Sequence, residues 1–208
     1  GKSSLVQELH QPIVRAHGYF ISGKFDQYQR DIPYSSIAQA FRQLILQILT
    51  ESDERIADWK ISLQQALGAN GQLIVEIIPQ LELIIGTQPA VMDLPPTEAQ
   101  HRFQLVFHKF IQVFAKKDHP LALFLDDMQW LDPASLTLVT FLITHPDTRY
   151  LFLLATYRDN EIGLSQPLVL ALSAIRARDA LVEEIVLQPL TLVHLEQLVA
   201  DTVHRSIE

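Results

Sequence analysis

Apolar residues recur along this chain in two rhythms, and the change between them divides it. From residue 3 to 16 the rhythm is helical, with Leu5, Leu9 and Ile13 four apart and Val6 beside them. Gly18 ends that pattern, and residues 19–25 read as a short strand. Ser35 or Ser36 can cap a helix running through Ile37, Phe41, Leu44, Ile45 and Ile48. A more polar helical stretch covers about 53–67 and stops at Gly68 and Asn70-Gly71. Residues 73–85 are helical again, with Leu73, Ile77, Leu81 and Ile84 on one face and Pro79 as a kink. Pro89 and Pro95-Pro96 mark a loop, and Thr97-x-x-Gln100 predicts a capping box opening a long helix to about Lys117.

Beyond that helix the alternation disappears. Residues 121–125 are continuously apolar and end in Asp126-Asp127; residues 151–155 are another such run, ending in Thr156-Tyr157-Arg158. Unbroken apolar runs bounded by turn signals are the pattern of strands buried on both faces. Between them Asp132-Pro133 supplies an N-cap and a first-turn proline for a helix through Leu136, Val139 and Leu142. A helix near 166–177 leads to residues 182–187, a weaker strand candidate, and Thr191 can cap a last helix through Leu195 and Leu198. Strand, helix, strand, helix, strand predicts an α/β fold with a parallel sheet and right-handed crossovers. Pro189 suggests a division into a core over 1–188 and the start of a helical subdomain over 189–208.

Composition narrows the function classes. The 208 residues include 48% hydrophobic side chains, enough for a sizeable core without staples. There are no cysteines, which excludes disulfides, thiolate metal sites and cysteine nucleophiles and agrees with a cytoplasmic setting. The net charge of −8 argues against a nucleic-acid surface, since phosphate neutralisation needs clustered Lys and Arg. No apolar run approaches the ~18 residues of a membrane span. The chain starts without Met and inside a motif, so the true N-terminus is expected elsewhere. His101 and His108 lie seven apart without a metal-binding pattern and read as surface residues.

Candidate chemistry gathers where strands end, because ligands of parallel α/β sheets sit at the carboxyl ends of strands. Gly1-Lys2-Ser3-Ser4 reads as the second half of a phosphate-binding loop, G-x-x-x-x-G-K-[ST], in which backbone N–H groups cradle phosphates, lysine reaches the β/γ-phosphates and the hydroxyl holds Mg²⁺. Hydrophobics followed by Asp126-Asp127 form a Walker B pattern: Asp126 suits Mg²⁺ together with Ser3, and Asp127 suits a general base that orients water. Arg158 can stabilise a γ-phosphate by charge-assisted hydrogen bonds. Each has a plainer reading: a serine-capped helix start, turn-forming or capping acids, and a surface arginine. In this order and spacing, the three together point to a nucleoside triphosphatase.

Three stretches give the chain a likeness to a known family. They are residues 23–30 with Ile32-Pro33-Tyr34 and Ala40-Phe41; residues 124–135, Phe-Leu-Asp-Asp-Met-Gln-Trp-Leu-Asp-Pro-Ala-Ser; and residues 147–161. With them the chain resembles the AAA-like ATPase module of STAND proteins, the signal-transducing ATPases with numerous domains. The likeness is to the module of large bacterial proteins that carry serine/threonine kinase, GAF and histidine-kinase domains. The resemblance implies a P-loop NTPase core with helices on both faces, a helical insertion from about 35 to 117, and a five-stranded order 5-1-4-3-2 whose first strand is missing here. It implies ATP rather than GTP, with Lys2 on the phosphates, Ser3 and Asp126 on Mg²⁺, Asp127 as catalytic acid and Arg158 as sensor arginine. The expected partners are ATP or ADP, adjacent kinase or sensor domains of the same polypeptide, and room for self-association. The competing expectation is a non-hydrolysing scaffold that docks proteins on the Gln- and Glu-rich insertion.

Overall fold

The structure, a computed structural model, describes residues 2–28, 30–158, 167–178, 180–188 and 191–204. Three strands form one sheet in the order β1 (Tyr19–Lys24), β2 (Leu121–Asp126) and β3 (Leu151–Ala155), all parallel. The register runs from Tyr19 opposite Leu121 to Lys24 opposite Asp126, and from Leu121 opposite Leu151 to Leu125 opposite Ala155. Consequently all three strands finish at one edge. The middle strand is buried from Leu121 to Leu125, as its unbroken apolar run predicts. This order matches the 4-3-2 part of the order implied by the resemblance; its other two strands are not among the described residues.

Helix α1 (Lys2–Arg15) turns into β1 through His17, at φ 54°, and Gly18. The N–H of Gly18 reaches the carbonyl of Ile13 (2.9 Å) and that of His17 the carbonyl of Val14 (2.9 Å), a paired closure of the helix end. Helix α1 packs against β1.

The core between the sheet and the helical insertion is mostly aliphatic, with a cluster of aromatic rings within it. Helices α2 (Ser35–Ile48), α3 (Asp53–Leu67) and α6 (Pro96–Phe114) bury Phe41, Trp59, Phe107, Phe110 and Phe114. Phe41 meets Phe107 edge-on at 5.5 Å between centroids and Phe110 at 5.1 Å, and Trp59 meets Phe114 at 5.4 Å. Helix α7 (Pro133–Thr144) starts on Asp132, whose carboxylate accepts the N–H of Ser135 at 2.8 Å, as predicted. Helices α8 (Pro167–Arg176) and α9 (Leu192–His204) follow, the latter with the N–H of His194 directed to the Thr191 hydroxyl at 3.4 Å. Among the described residues no helix is long and apolar enough to cross a membrane.

Several local expectations give way to packing. Residues 73–85 are not one kinked helix: α4 (Gly71–Val75) is followed by a 3-10 turn (Pro79–Leu81) and α5 (Glu82–Ile85). Pro79 begins that turn, where its missing N–H is harmless. Helix α6 starts at Pro96 with no side-chain cap, so the Thr97-x-x-Gln100 box does not form, and it stops at Phe114 rather than Lys117. Neither Ser35 nor Ser36 caps α2. Tyr34 holds that position at φ 63°, while the Ser36 hydroxyl donates to the carbonyl of Lys24 (2.8 Å). Residues 182–187 form no strand: residues 180–188 lack regular structure, with Leu181, Ile185 and Val186 exposed. A strand needs a paired neighbour, and that segment has none among the described residues.

His101 is exposed as expected, but His108 is buried, 4.1 Å from the ring of His145. Burial first, and then the neighbouring His145, hold its pKa below the ordinary histidine value, against an opposing pull from Asp147.

Gly23 shows how tightly the site's scaffold is seated. A Cβ there would overlap the carbonyl oxygen of Ser36 and lie 2.9 Å from its carbonyl carbon, both backbone atoms of α2. Gly23→Ala must push α2 off β1 and is expected to cost about 3 kcal/mol. Urea unfolding checks this, and an unchanged midpoint would show that α2 yields freely.

Candidate functional site

The sheet edge collects the polar residues predicted to carry chemistry, because three strands of matched register stop there together. Hydrogen bonds extend the ladder past the strands: Phe25 N–H to Asp126 O (3.0 Å), Thr156 N–H to Leu125 O (3.0 Å) and Met128 N–H to Thr156 O (2.8 Å). The last residue of β2, Asp126, and the residue after β3, Thr156, are thereby brought side by side. The Thr156 hydroxyl donates to Oδ1 of Asp126.

Asp127 turns sharply away from β2 in the left-handed region, φ 55° and ψ 45°, which aspartate tolerates better than most residues. Its N–H is directed to Asp126 Oδ1 (3.1 Å) and Thr156 Oγ1 (3.3 Å). Its carboxylate meets groups from three elements. Lys24 Nζ, from the end of β1, lies 3.3 Å from Oδ2; Arg158 Nε, just beyond β3, lies 3.8 Å from Oδ1; and Gln129 Nε2 donates to Oδ1 at 3.3 Å. The Asp127 side chain is 18% exposed, whereas those of Lys24 and Arg158 are 66% and 57% exposed.

The surrounding loops hold this edge in shape. The guanidinium of Arg30 stacks over Trp130, 5.5 Å from the ring centroid, and joins the loop after β1 to the turn after β2. Asp26 accepts the N–H of Tyr28 (2.9 Å), a local turn. Tyr34 packs on Phe103 at 4.7 Å, and burial followed by the charge of Asp132 raises the pKa of its phenol. Beside Arg158, the Tyr157 hydroxyl donates to Glu184 (2.5 Å), which also pairs with Arg176 (2.8 Å). The Tyr157 hydrogen bond, then Arg176, lowers the Glu184 pKa.

Of the residues predicted for the site, the structure brings Asp126, Asp127 and Arg158 together. Gly1 lies outside the described residues; Lys2, Ser3 and Ser4 open α1, with their side chains outside the description. The residues missed as chemistry were Lys24 and Gln129. Lys24 was within reach of the rule used for Asp126, since it too is the last residue of a parallel strand.

Carboxylates of this kind suit a hard divalent cation such as Mg²⁺, which is held by one or two protein carboxylates plus substrate phosphates and water. The partly exposed carboxylate of Asp126 at a strand end, with a hydroxyl fixed against it, has that donor chemistry.

A parallel α/β sheet with its charged groups gathered at the carboxyl edge is the architecture of nucleotide-binding cores. The chain belongs to the AAA ATPase domain family, whose match covers residues 1–154. It is 43% identical over 143 residues to hybrid signal transduction histidine kinase G of Dictyostelium discoideum, covering 69% of this chain and 4% of that protein. It is 21% identical over 151 residues to histidine protein kinase 1 of Candida albicans, covering 65% of this chain and 6% of that protein. The chain thus spans a small part of the curated relatives it matches. No solved structure matches it.

Proposed function

We propose that this chain is the ATP-binding and ATP-hydrolysing switch module of a multidomain signal-transduction protein. One observation carries the reading: Asp126 ends the central strand and Asp127 follows it, with Thr156 and Arg158, just beyond the next strand, set against them. The family supports a nucleotide site, and relatives named as histidine kinases support the signalling setting. The STAND class and the bacterial kinase setting extend the reading and rest on the motifs in residues 23–30, 32–34, 40–41, 124–135 and 147–161, and a cytoplasmic location rests on the lack of cysteines.

In this reading Gly1, Lys2, Ser3 and Ser4 bind phosphates, through the N–H groups at the start of α1 and through the lysine. Ser3 and Asp126 would hold Mg²⁺, which supplies charge stabilisation of the transferring phosphoryl group. Asp126 is kept in place by the Thr156 hydroxyl. Asp127 orients and deprotonates the attacking water, and Arg158 stabilises developing charge on the γ-phosphate. Residues 1–188 act as the core and 189–208 begin a helical lid. ATP and ADP shift the balance of arrangements by their different affinities for each, and so inform adjacent kinase or sensor domains.

Lys2→Ala in the full-length protein is expected to weaken ATP binding about a hundredfold or more, since it removes a charged partner of the phosphates. Calorimetric titration checks it. Unchanged affinity would remove the N-terminal segment from the nucleotide site.

A further inference from the structure

The chain leaving β1 meets the turn leaving β2 at three points. The Phe25 N–H reaches the carbonyl of Asp126 (3.0 Å), and the Arg30 guanidinium lies over the Trp130 ring, 5.5 Å from its centroid. At the third point the charge of Asp132, second to burial, raises the pKa of the Tyr34 phenol. The outer two points are built into the fold: Phe25 is buried, and Tyr34 packs on Phe103 at 4.7 Å. The middle one is different, an exposed arginine on a half-buried ring.

We propose that Arg30 is a positioning residue for ATP hydrolysis: its guanidinium clamps Trp130 and so holds the turn that aims the Asp127 carboxylate. The inference rests on Asp127 being the general base. Trp130 is tied to Asp127 through the backbone. A 3-10 turn (Met128–Trp130) opens on Asp127, and the Trp130 N–H donates to the Asp127 carbonyl (3.0 Å). Within that turn Gln129 donates to Asp127 Oδ1 (3.3 Å), and beyond it Asp132 is fixed as the cap of α7. Asp127 itself sits in the left-handed region, φ 55°, which residues with side chains seldom occupy. Such a conformation persists only where its surroundings over-determine it. The Arg30–Trp130 contact is one of those surroundings. A planar guanidinium suits the face of an indole, and an exposed contact of this kind adds little to stability. Turnover is more sensitive than stability, because a misplacement of about 1 Å at a reacting group can cost ~10²-fold in rate.

The test uses the full-length protein with ATP as the probe. Arg30→Met keeps the length of the stem and removes the cation. It is expected to lower kcat about fivefold, with KM for ATP and the urea midpoint unchanged. Arg30→Lys restores a cation over the ring and should recover at least about half of wild-type kcat. In a Trp130→Leu background Arg30→Met should have no further effect, because the clamp has lost its ring. The Arg30 variants decide the matter even if Trp130→Leu does not fold. Wild-type kcat in Arg30→Met, or a loss in Arg30→Lys equal to that in Arg30→Met, would overturn the clamp. So would a raised KM with kcat intact, which would place Arg30 on the nucleotide instead. Asp127→Asn separates the two ideas. If it turns over normally, the base assignment fails and the positioning with it; if it is impaired and Arg30→Met turns over as wild type, only the positioning fails.

Discussion

Asp127→Asn in the full-length protein should lower ATP turnover by about a hundredfold or more, with ATP affinity retained. A positioned general base contributes about 10²–10⁴ in rate, and asparagine keeps the shape of aspartate without its proton-accepting oxygen. Binding should survive because the residues proposed to contact phosphate and Mg²⁺, Lys2, Ser3 and Asp126, are untouched. The left-handed turn should survive as well, since asparagine tolerates φ near the 55° observed. Phosphate release beside a calorimetric affinity separates the effects. Undiminished turnover would remove Asp127 from the chemistry.

The second large effect is on stability. Phe41→Ala should destabilise the chain by about 3–5 kcal/mol, the cost of deleting a fully buried phenyl ring. Phe41 has no exposed surface and lies within 5.1–6.3 Å, centroid to centroid, of Phe107, Phe110 and Phe114. It ties α2 to α6, and α2 in turn seats against Gly23 at the end of β1. The damage should reach the strand-end site indirectly, through loss of the folded population. Denaturant unfolding measures the loss, and Leu170→Ala, at a residue 61% exposed, serves as the near-neutral comparison. A cost below about 1 kcal/mol would mean that the aromatic layer closes over the gap.

What could be read in the sequence follows from how local each signal is. β2 was legible because a strand buried at the sheet centre writes an unbroken apolar run; β3 carries the same kind of run, but it lies at the edge of the described sheet with Phe152 exposed, not buried on both faces. Asp132 was legible as a cap because its partner, Ser135, is three residues away. By contrast, residues 182–187 carry strand-like side chains, but pairing depends on a neighbour that local pattern does not encode. The Thr97-x-x-Gln100 box lost to Pro96, whose fixed φ starts the helix two residues earlier. His108 was placed on the surface because helical spacing does not reveal which face α7 covers; there it packs beside Phe141 and His145.

The site divides in the same way. Asp126, Asp127 and Arg158 follow apolar runs, so strand-end reasoning found them. The Lys24–Asp127 pair spans more than a hundred residues of sequence and depends on the register of β1 with β2, which only the fold supplies. Arg30 on Trp130 is a contact of the same long-range kind: the family motifs named both residues, and the structure shows that they hold two loops together.

The central claim is that this strand edge hydrolyses ATP. Its most direct measurement is phosphate release from the full-length protein at saturating ATP, with nucleotide occupancy followed in the same sample. The account predicts saturable ATP binding with continuing release of phosphate. Saturable binding with no phosphate released, whatever the partner domains or oligomeric state, would contradict it and leave a nucleotide-binding scaffold.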